Sequence, residues 1–515
     1  MQKEKGVDVE DYFPNQEIKG DYDKTLAVKC QNGTFVGKKD GNVVSYKGVP
    51  YAEPPILNLR FKPPVKASNS DKIYEAYYLG KAGFQTLCET EKSSFYKQGE
   101  DCLTLNIWVN VSNTDSKKPV MVFIHGGAFE WGGTADPLYE GTNFIKDHSD
   151  VILVTINYRI GILGFINLSI LEGGENYKES GNLGILDQIC ALEWVHDNIS
   201  NFGGDPNNVT IFGESAGGTS VSILPLIKRT KGLFHHVIAQ SGSNQFTSSI
   251  ENSLKITKIL IERTNAKSVD DLVKLSEKEM KKIIDKFPEE KYVFPVRDGV
   301  VLPKNIYEEF DTFDFNGIDF LLGTNKDEYR YWLEDLGGTE PYLAHEKELF
   351  EYHTSLFNEQ DKRKVNVFME NLPDKEEIWK LTEFLNEYIF RIRTIAQAEK
   401  ISKRGGNVFV YFWTFPSEKP QFGACHAVEL SSIFNNLKNG IYTGGKVNET
   451  LAKTAQLMWI NFAKNGNPST TSIKWNKFNL NDRKTMFLGE EIKEENDNYP
   501  ERNEKLIPIA KYDFN

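Results

Sequence analysis

The feature that most constrains this chain is a rhythm of short, nearly all-apolar runs, each closed by glycine or a polar turn. The runs are 119–125 (PVMVFIH), 151–157 (VILVTIN), 209–213 (VTIFG), 236–240 (HVIAQ), 318–323 (IDFLLG) and 407–415 (NVFVYFWTF). A strand with one wet face alternates apolar and polar residues. These runs do not alternate, so each is expected to be a strand buried on both faces. Between the second and third, Leu186, Ile189, Leu192 and Val195 recur at helical spacing. The pattern predicts an α/β fold with a large, mostly parallel, twisted central sheet and helices on both faces.

Around this frame, residues 26–109 are rich in Gly, Pro and short β-prone runs, which read as small strands and turns. Two helical insertions, 254–287 and 343–404, interrupt the later β/α alternation. In the second, Ile378, Leu381, Leu385, Tyr388, Ile392 and Ala396 mark one face of a long helix. Insertions placed this way cover active sites in some folds and are ordinary packing in others. No linker divides the chain, so residues 1–515 are expected to form a single domain, with 1–25 poorly ordered or loosely packed.

With 39% hydrophobic and 26% charged residues, the composition suits a water-soluble globular protein. A net charge of −12 argues against nucleic-acid and anionic-membrane partners. No run approaches the about 18 apolar residues of a membrane-spanning helix. The charged opening lacks the apolar core of a signal peptide. A cytoplasmic location is expected, with secretion as the alternative if a leader has been removed. The 5 cysteines make neither a disulfide scaffold nor a metal-ligand cluster, so neither a metal nor an organic cofactor is expected.

The candidate chemistry begins at TIFGESAGGTS, residues 210–220. Gly213-Glu214-Ser215-Ala216-Gly217 is a G-x-S-x-G match with a strand before it and a helix after it. That geometry lifts a serine oxygen clear of the backbone, and the helix amino terminus favours developing negative charge. Upstream, His125-Gly126-Gly127-Ala128-Phe129 closes the first run as an HGGG-type loop. The backbone N–H groups of Gly127, Ala128 and Ala216 are the expected oxyanion donors. A serine nucleophile needs a general base, and the base needs an orienting acid. Of the 8 histidines, His426 lies in a loop just past the strand 407–415, where an α/β-hydrolase order would place a base. The acid should follow the strand 318–323, where both Asp327 and Glu328 qualify from their position alone.

Together these residues resemble the type-B carboxylesterase and cholinesterase family of the α/β-hydrolase fold, nearest to a bacterial-type carboxylesterase. FGGDPNNVTIFGESAG and EDCLTLNIWV look like that family's two signatures. GVPYAEPP, HGGAF, NYRIGILGF, GNLGILDQ, GTNKDE and the histidine loop follow in the family's order. The resemblance implies Ser215 as nucleophile, Glu328 rather than Asp327 as acid, and His426 as base. It also implies Glu214 as a second carboxylate that tunes the histidine or holds water. Cys88 and Cys102 fall where secreted relatives close a disulfide loop. The intervening ETEKSSFYKQGED lacks the tryptophan with which cholinesterases hold a quaternary ammonium, leaving Phe95 or Tyr96 as weak substitutes.

The implied activity is hydrolysis of a small-molecule carboxylic ester through an acyl-enzyme, by a monomer or weak homo-oligomer. The same triad also suits amide, lipid, feruloyl or choline ester substrates. A non-catalytic adhesion relative is disfavoured because Ser215, Glu328 and His426 are all retained. Trp131, Phe246 and Trp332 are candidate pocket-lining aromatics.

Overall fold

Each of the apolar runs becomes a strand of one sheet. The computed structural model describes residues 14–86, 97–112, 117–244, 246–287, 293–373, 376–437, 448–497 and 499–512. In spatial order its 11-stranded sheet runs Ile492–Asn496, Lys484–Leu488, Asn407–Trp413, Asp319–Asn325, His236–Gln240, Gly204–Glu214, Lys118–Ile124, Ile152–Ile156, Thr104–Asn110, Val43–Pro50 and Lys38–Asp40. From Lys484–Leu488 to Ile152–Ile156 all neighbours are parallel. Antiparallel pairs finish both edges. A smaller three-stranded sheet, Ala27–Cys30, Gly33–Val36 and Ile73–Glu75, lies outside it.

Alternate residues of the same strand enter different cores, which explains why the runs are apolar throughout. Val120, Val122 and Ile124 join one core, while Met121 and Phe123 join the other. Ile211 and Phe212 divide the same way, as do Val408 and Phe409. Successive strand side chains point to opposite faces, so helices on both faces demand apolar residues at every position.

The chain order reverses at Lys118–Ile124. The next strand, Ile152–Ile156, pairs on one side, and Gly204–Glu214 pairs on the other. Loops leaving the carboxyl ends of two such strands diverge to opposite faces and leave a crevice between them. The HGGAF loop and the serine turn are the two loops concerned.

Gln16 and Ile18 hydrogen-bond to the strand Ile73–Glu75. The Asn15 amide donates to the carbonyls of Lys47 (2.8 Å) and Tyr78 (3.1 Å), and its oxygen accepts from the N–H groups of Tyr77 and Tyr78. Residues 1–13 lie outside the described residues. One expectation needs correction: the long helix of the second insertion is two helices, Glu377–Leu385 and Ile392–Lys403, joined by a π-helical turn, Asn386–Arg391. Tertiary contacts hold that turn. Asn386 accepts from the Tyr329 N–H at 2.7 Å, and Arg391 pairs with Asp497 at 2.6 Å. The first insertion forms three helices, Ile250–Thr264, Val269–Val273 and Glu277–Ile284. Each is opened by a serine cap, Ser249, Ser268 or Ser276.

Asp497 bridges the guanidiniums of Arg391 (2.6 Å) and Arg502 (2.7 Å), and all three residues are buried. Replacing it with alanine leaves two buried cations without this partner, a change that typically costs about 3–5 kcal/mol. Asp497→Ala should therefore lower the thermal unfolding midpoint by several degrees, followed by circular dichroism. An unchanged midpoint would show that this network does not hold the π turn in place.

Candidate active site

Ser215 stands between the strand Gly204–Glu214 and the helix Ala216–Ile223, with φ 56° and ψ −119°. Such a conformation costs on the order of 1–3 kcal/mol for a residue with a Cβ and persists only where its surroundings impose it. Here the Ser215 N–H donates to Gln240 of the neighbouring strand at 2.9 Å, and its carbonyl accepts from Thr219 at 2.8 Å. The glycines of the motif have a steric cause. A Cβ on Gly217 would sit 1.9 Å from the Ile124 carbonyl oxygen, and one on Gly213 would sit 2.5 Å from the Gly217 carbonyl carbon. The helix can press onto the two strands only without those side chains.

The loop after Lys118–Ile124 meets this turn directly. A Cβ on Gly126 would lie 3.2 Å from the Ser215 Cβ. Gly127, Ala128 and Phe129 take φ values of 101°, 51° and 62°, and the Gly127 carbonyl accepts from Glu130 and Trp131 at 2.8 and 2.9 Å. This coil leaves the N–H groups of Gly127 and Ala128, with that of Ala216, without acceptors among the described residues. His125 shapes the loop. Its Nδ1 lies 2.9 Å from the Gly126 carbonyl and its ring stacks on Tyr158. Burial holds its pKa down at about 4, so it is neutral at pH 7.

Glu328 is fully buried just past the strand Asp319–Asn325. Its Oε1 accepts from the Ser241 hydroxyl at 2.6 Å and the Asn325 N–H at 2.7 Å, while its Oε2 lies 2.7 Å from His426 Nδ1. The His426 N–H in turn donates to the Glu328 carbonyl at 3.1 Å. Asp327, equally placed in the sequence, has a different task. Its N–H donates to the Ala424 carbonyl and its carboxylate accepts from the Ala424 N–H, which secures the histidine loop.

The second nitrogen of His426, Nε2, lies 3.0 Å from Glu214 Oε1. The pair is close but not aligned as a hydrogen bond, so we read it as a charge contact. Burial by itself would lower the histidine pKa. The negative charges of Glu214 and Glu328 outweigh it and raise the value to about 9. Aromatic rings close around the imidazole: Trp332 stacks at 5.5 Å, Phe390 lies at 4.9 Å and Tyr331 at 6.2 Å.

The site residues anticipated from sequence thus converge, although Gly127 and His426 lie about three hundred positions apart. Of the candidate aromatics, Trp332 faces His426 directly, and Phe246 reaches it through Phe390. Trp131 follows the HGGAF loop and is partly exposed. Cys102 is a buried free thiol, whereas Cys88, Phe95 and Tyr96 lie outside the described residues. Sequence reasoning missed Ser241, Phe390 and Glu429. Glu429 accepts from Gln240 and Asn325, and burial raises its pKa. Its only sequence signal is its place three residues after the histidine.

Among known families, residues 24–506 match the one described as the carboxylesterase family. The para-nitrobenzyl esterase of Bacillus subtilis is 34% identical over 93% of this chain and 98% of its own. Carboxylesterase 1D of Mus musculus is 31% identical over 83% of this chain and 82% of its own. Among solved structures, the Geobacillus stearothermophilus carboxylesterase EST55 superposes with a TM-score of 0.83 at 30% identity, covering 93% of this chain and 100% of that one.

Glu214→Gln removes the largest of the three carboxylate charges, Glu214, Glu328 and Glu429, that raise the histidine. The imidazole pKa should then fall from about 9 toward the ordinary histidine value. Nuclear magnetic resonance titration of ring-labelled histidine would read this, and an unmoved pKa would deny the Glu214 contact any electrostatic role.

Proposed function

We propose a mechanism from one premise: the chain belongs to the carboxylesterase family and is a carboxylic ester hydrolase. Ser215 attacks the ester carbonyl carbon while its hydroxyl proton passes to His426 Nε2. Glu328 orients the imidazole through Nδ1–H and stabilises the cation that forms. The negative oxygen of the tetrahedral intermediate accepts hydrogen bonds from the N–H groups of Gly127, Ala128 and Ala216. One such donor typically contributes about 10²–10³ in kcat. Collapse expels the alcohol, which takes its proton from His426 and leaves an acyl-enzyme on Ser215. A water molecule, deprotonated by His426, then cleaves that ester and releases the acid. No step calls for a metal or an organic cofactor.

The observation that carries this reading is the 2.7 Å contact of His426 Nδ1 with the buried Glu328, beside the strained turn that bears Ser215. Glu214 has a consistent place in it. Its charge, 3.0 Å from Nε2, favours the imidazolium that appears in each half-reaction. The ring of Trp332, Phe390 and Tyr331 limits water around that cation and strengthens both contacts.

All of these groups come from one chain, which supports action as a monomer or weak homo-oligomer. Among the described residues no helix is long and apolar enough to cross a membrane. Among the described residues Cys30, Cys102, Cys190 and Cys425 are buried free thiols, and we keep a cytoplasmic location as the proposal.

Ser215→Ala should lower kcat for p-nitrophenyl acetate by about 10⁴-fold or more. Unchanged turnover would remove the serine from the mechanism. The wild-type pH profile gives a second check. The base form of His426 is the working form, and the proton stays on the ring until about pH 9. The value of kcat/KM should therefore climb with pH up to about that point. A plateau already reached at pH 7 would show that His426 is not held as a cation in the free enzyme.

A further inference from the structure

We propose that Glu130 is a substrate-selecting carboxylate of this esterase that favours esters carrying a cationic amine; the proposal rests on the hydrolase reading above. Glu130 belongs to the loop that presents the oxyanion donors. Its N–H donates to the Gly127 carbonyl at 2.8 Å, which ties its position to theirs. Its side chain crosses to another segment of the fold, where Oε1 accepts from the Val293 N–H at 2.6 Å. The other oxygen, Oε2, has no hydrogen-bond or ion-pair partner among the described residues. It stands 3.1 Å from the place a Cβ on Gly161 would occupy. Part of the residue remains accessible although its carboxyl is largely withdrawn from water.

Packed rings link the anchor of Glu130 to His426. Phe294, next to Val293, stacks on Phe246 at 5.7 Å; Phe246 meets Phe390 at 6.3 Å; and Phe390 lies 4.9 Å from His426. An aromatic wall of packed, largely buried rings therefore runs from the anchor of Glu130 to the catalytic imidazole. Within it, burial raises the Glu130 carboxyl to about 8, and the Val293 N–H opposes that rise. Among the described residues, the groups placed against it are the Val293 N–H and Gly161, neither of which titrates. A carboxyl without a counter-charge is unfavourable in such surroundings. A cationic substrate group would supply the missing partner, and the aromatic wall would add cation–π attraction. A neutral ester of the same shape supplies neither.

The test compares isosteric ester pairs on the full chain. One pair is a p-nitrophenyl alkanoate ending in trimethylammonium and its tert-butyl analogue. The other is a butyrate ester with the same two end groups on its alcohol. The quantity read is the ratio of kcat/KM, cationic over neutral, in which the titration of His426 common to both esters cancels. In the wild type that ratio should rise as pH passes through about 8 for at least one pair, and that pair locates the acyl or alcohol side. Glu130→Gln keeps an acceptor for Val293 and removes the charge. It should lower the ratio by about tenfold, on the scale of a partly desolvated charge pair, and flatten its pH dependence. Glu130→Met serves as a second variant, and the wild-type pH series needs none. Ratios that are flat with pH in the wild type for both pairs, or equal in wild type and variants, would overturn the proposal. Labelling of Ser215 by an organophosphonate reads the hydrolase separately. An inert serine strikes the catalytic reading, whereas a reactive serine with equal ratios strikes only the role of Glu130.

Discussion

The contact on which the site depends is the approach of Gly217 to the carbonyl of Ile124. It lets the first turn of a helix lie against the ends of two parallel strands, with no side chain between. Because those strands are adjacent where the chain order reverses, the same contact brings the HGGAF loop over Ser215. The strained serine and the coiled loop are thus two products of one packing constraint. Each suits the proposed acyl transfer: a serine on a strained turn, and loop N–H groups without acceptors among the described residues.

The electrostatics of the site follow from its depth. His426 lies between two carboxylates in a setting that would ordinarily discharge it, and their joint field prevails. Glu328 is the structural partner, held on one oxygen by Ser241 and Asn325, with its other oxygen turned to the ring. Glu214 touches the opposite nitrogen without aligned hydrogen bonding. In the proposed mechanism Nε2 exchanges a proton with the serine, while the charge beside it favours the cation. Glu130 is the contrasting case. It is a carboxyl with no such partner among the described residues, anchored at Val293.

Much of this was legible before any coordinates. The strands at 119–125, 209–213 and 407–415 were readable because burial on both faces leaves a local signature, an unbroken apolar run. Ser215 and the HGGAF loop were readable because their strain demands small residues at fixed spacing. The choice between Asp327 and Glu328 was different. Adjacent acids have the same local pattern, and position left both open until the family resemblance favoured Glu328. In the structure, the turn after the strand aims one at the histidine ring and the other at the Ala424 backbone. The π turn at Asn386–Arg391 was missed because the apolar stripe across it looks continuous. What widens the helix is contact with Tyr329 and Asp497, each more than fifty residues away in sequence.

By itself, then, the sequence determined the sheet, the reactive serine turn and the set of groups from which an acyl-transfer site can be built. Each of these is imposed by local sterics or by the periodicity of burial. Tertiary structure alone decided which carboxylate meets which nitrogen of His426, which rings surround it, and that one oxygen of Glu130 has no partner among the described residues. Those outcomes depend on distances between segments far apart in the chain, and no local pattern of residues encodes them.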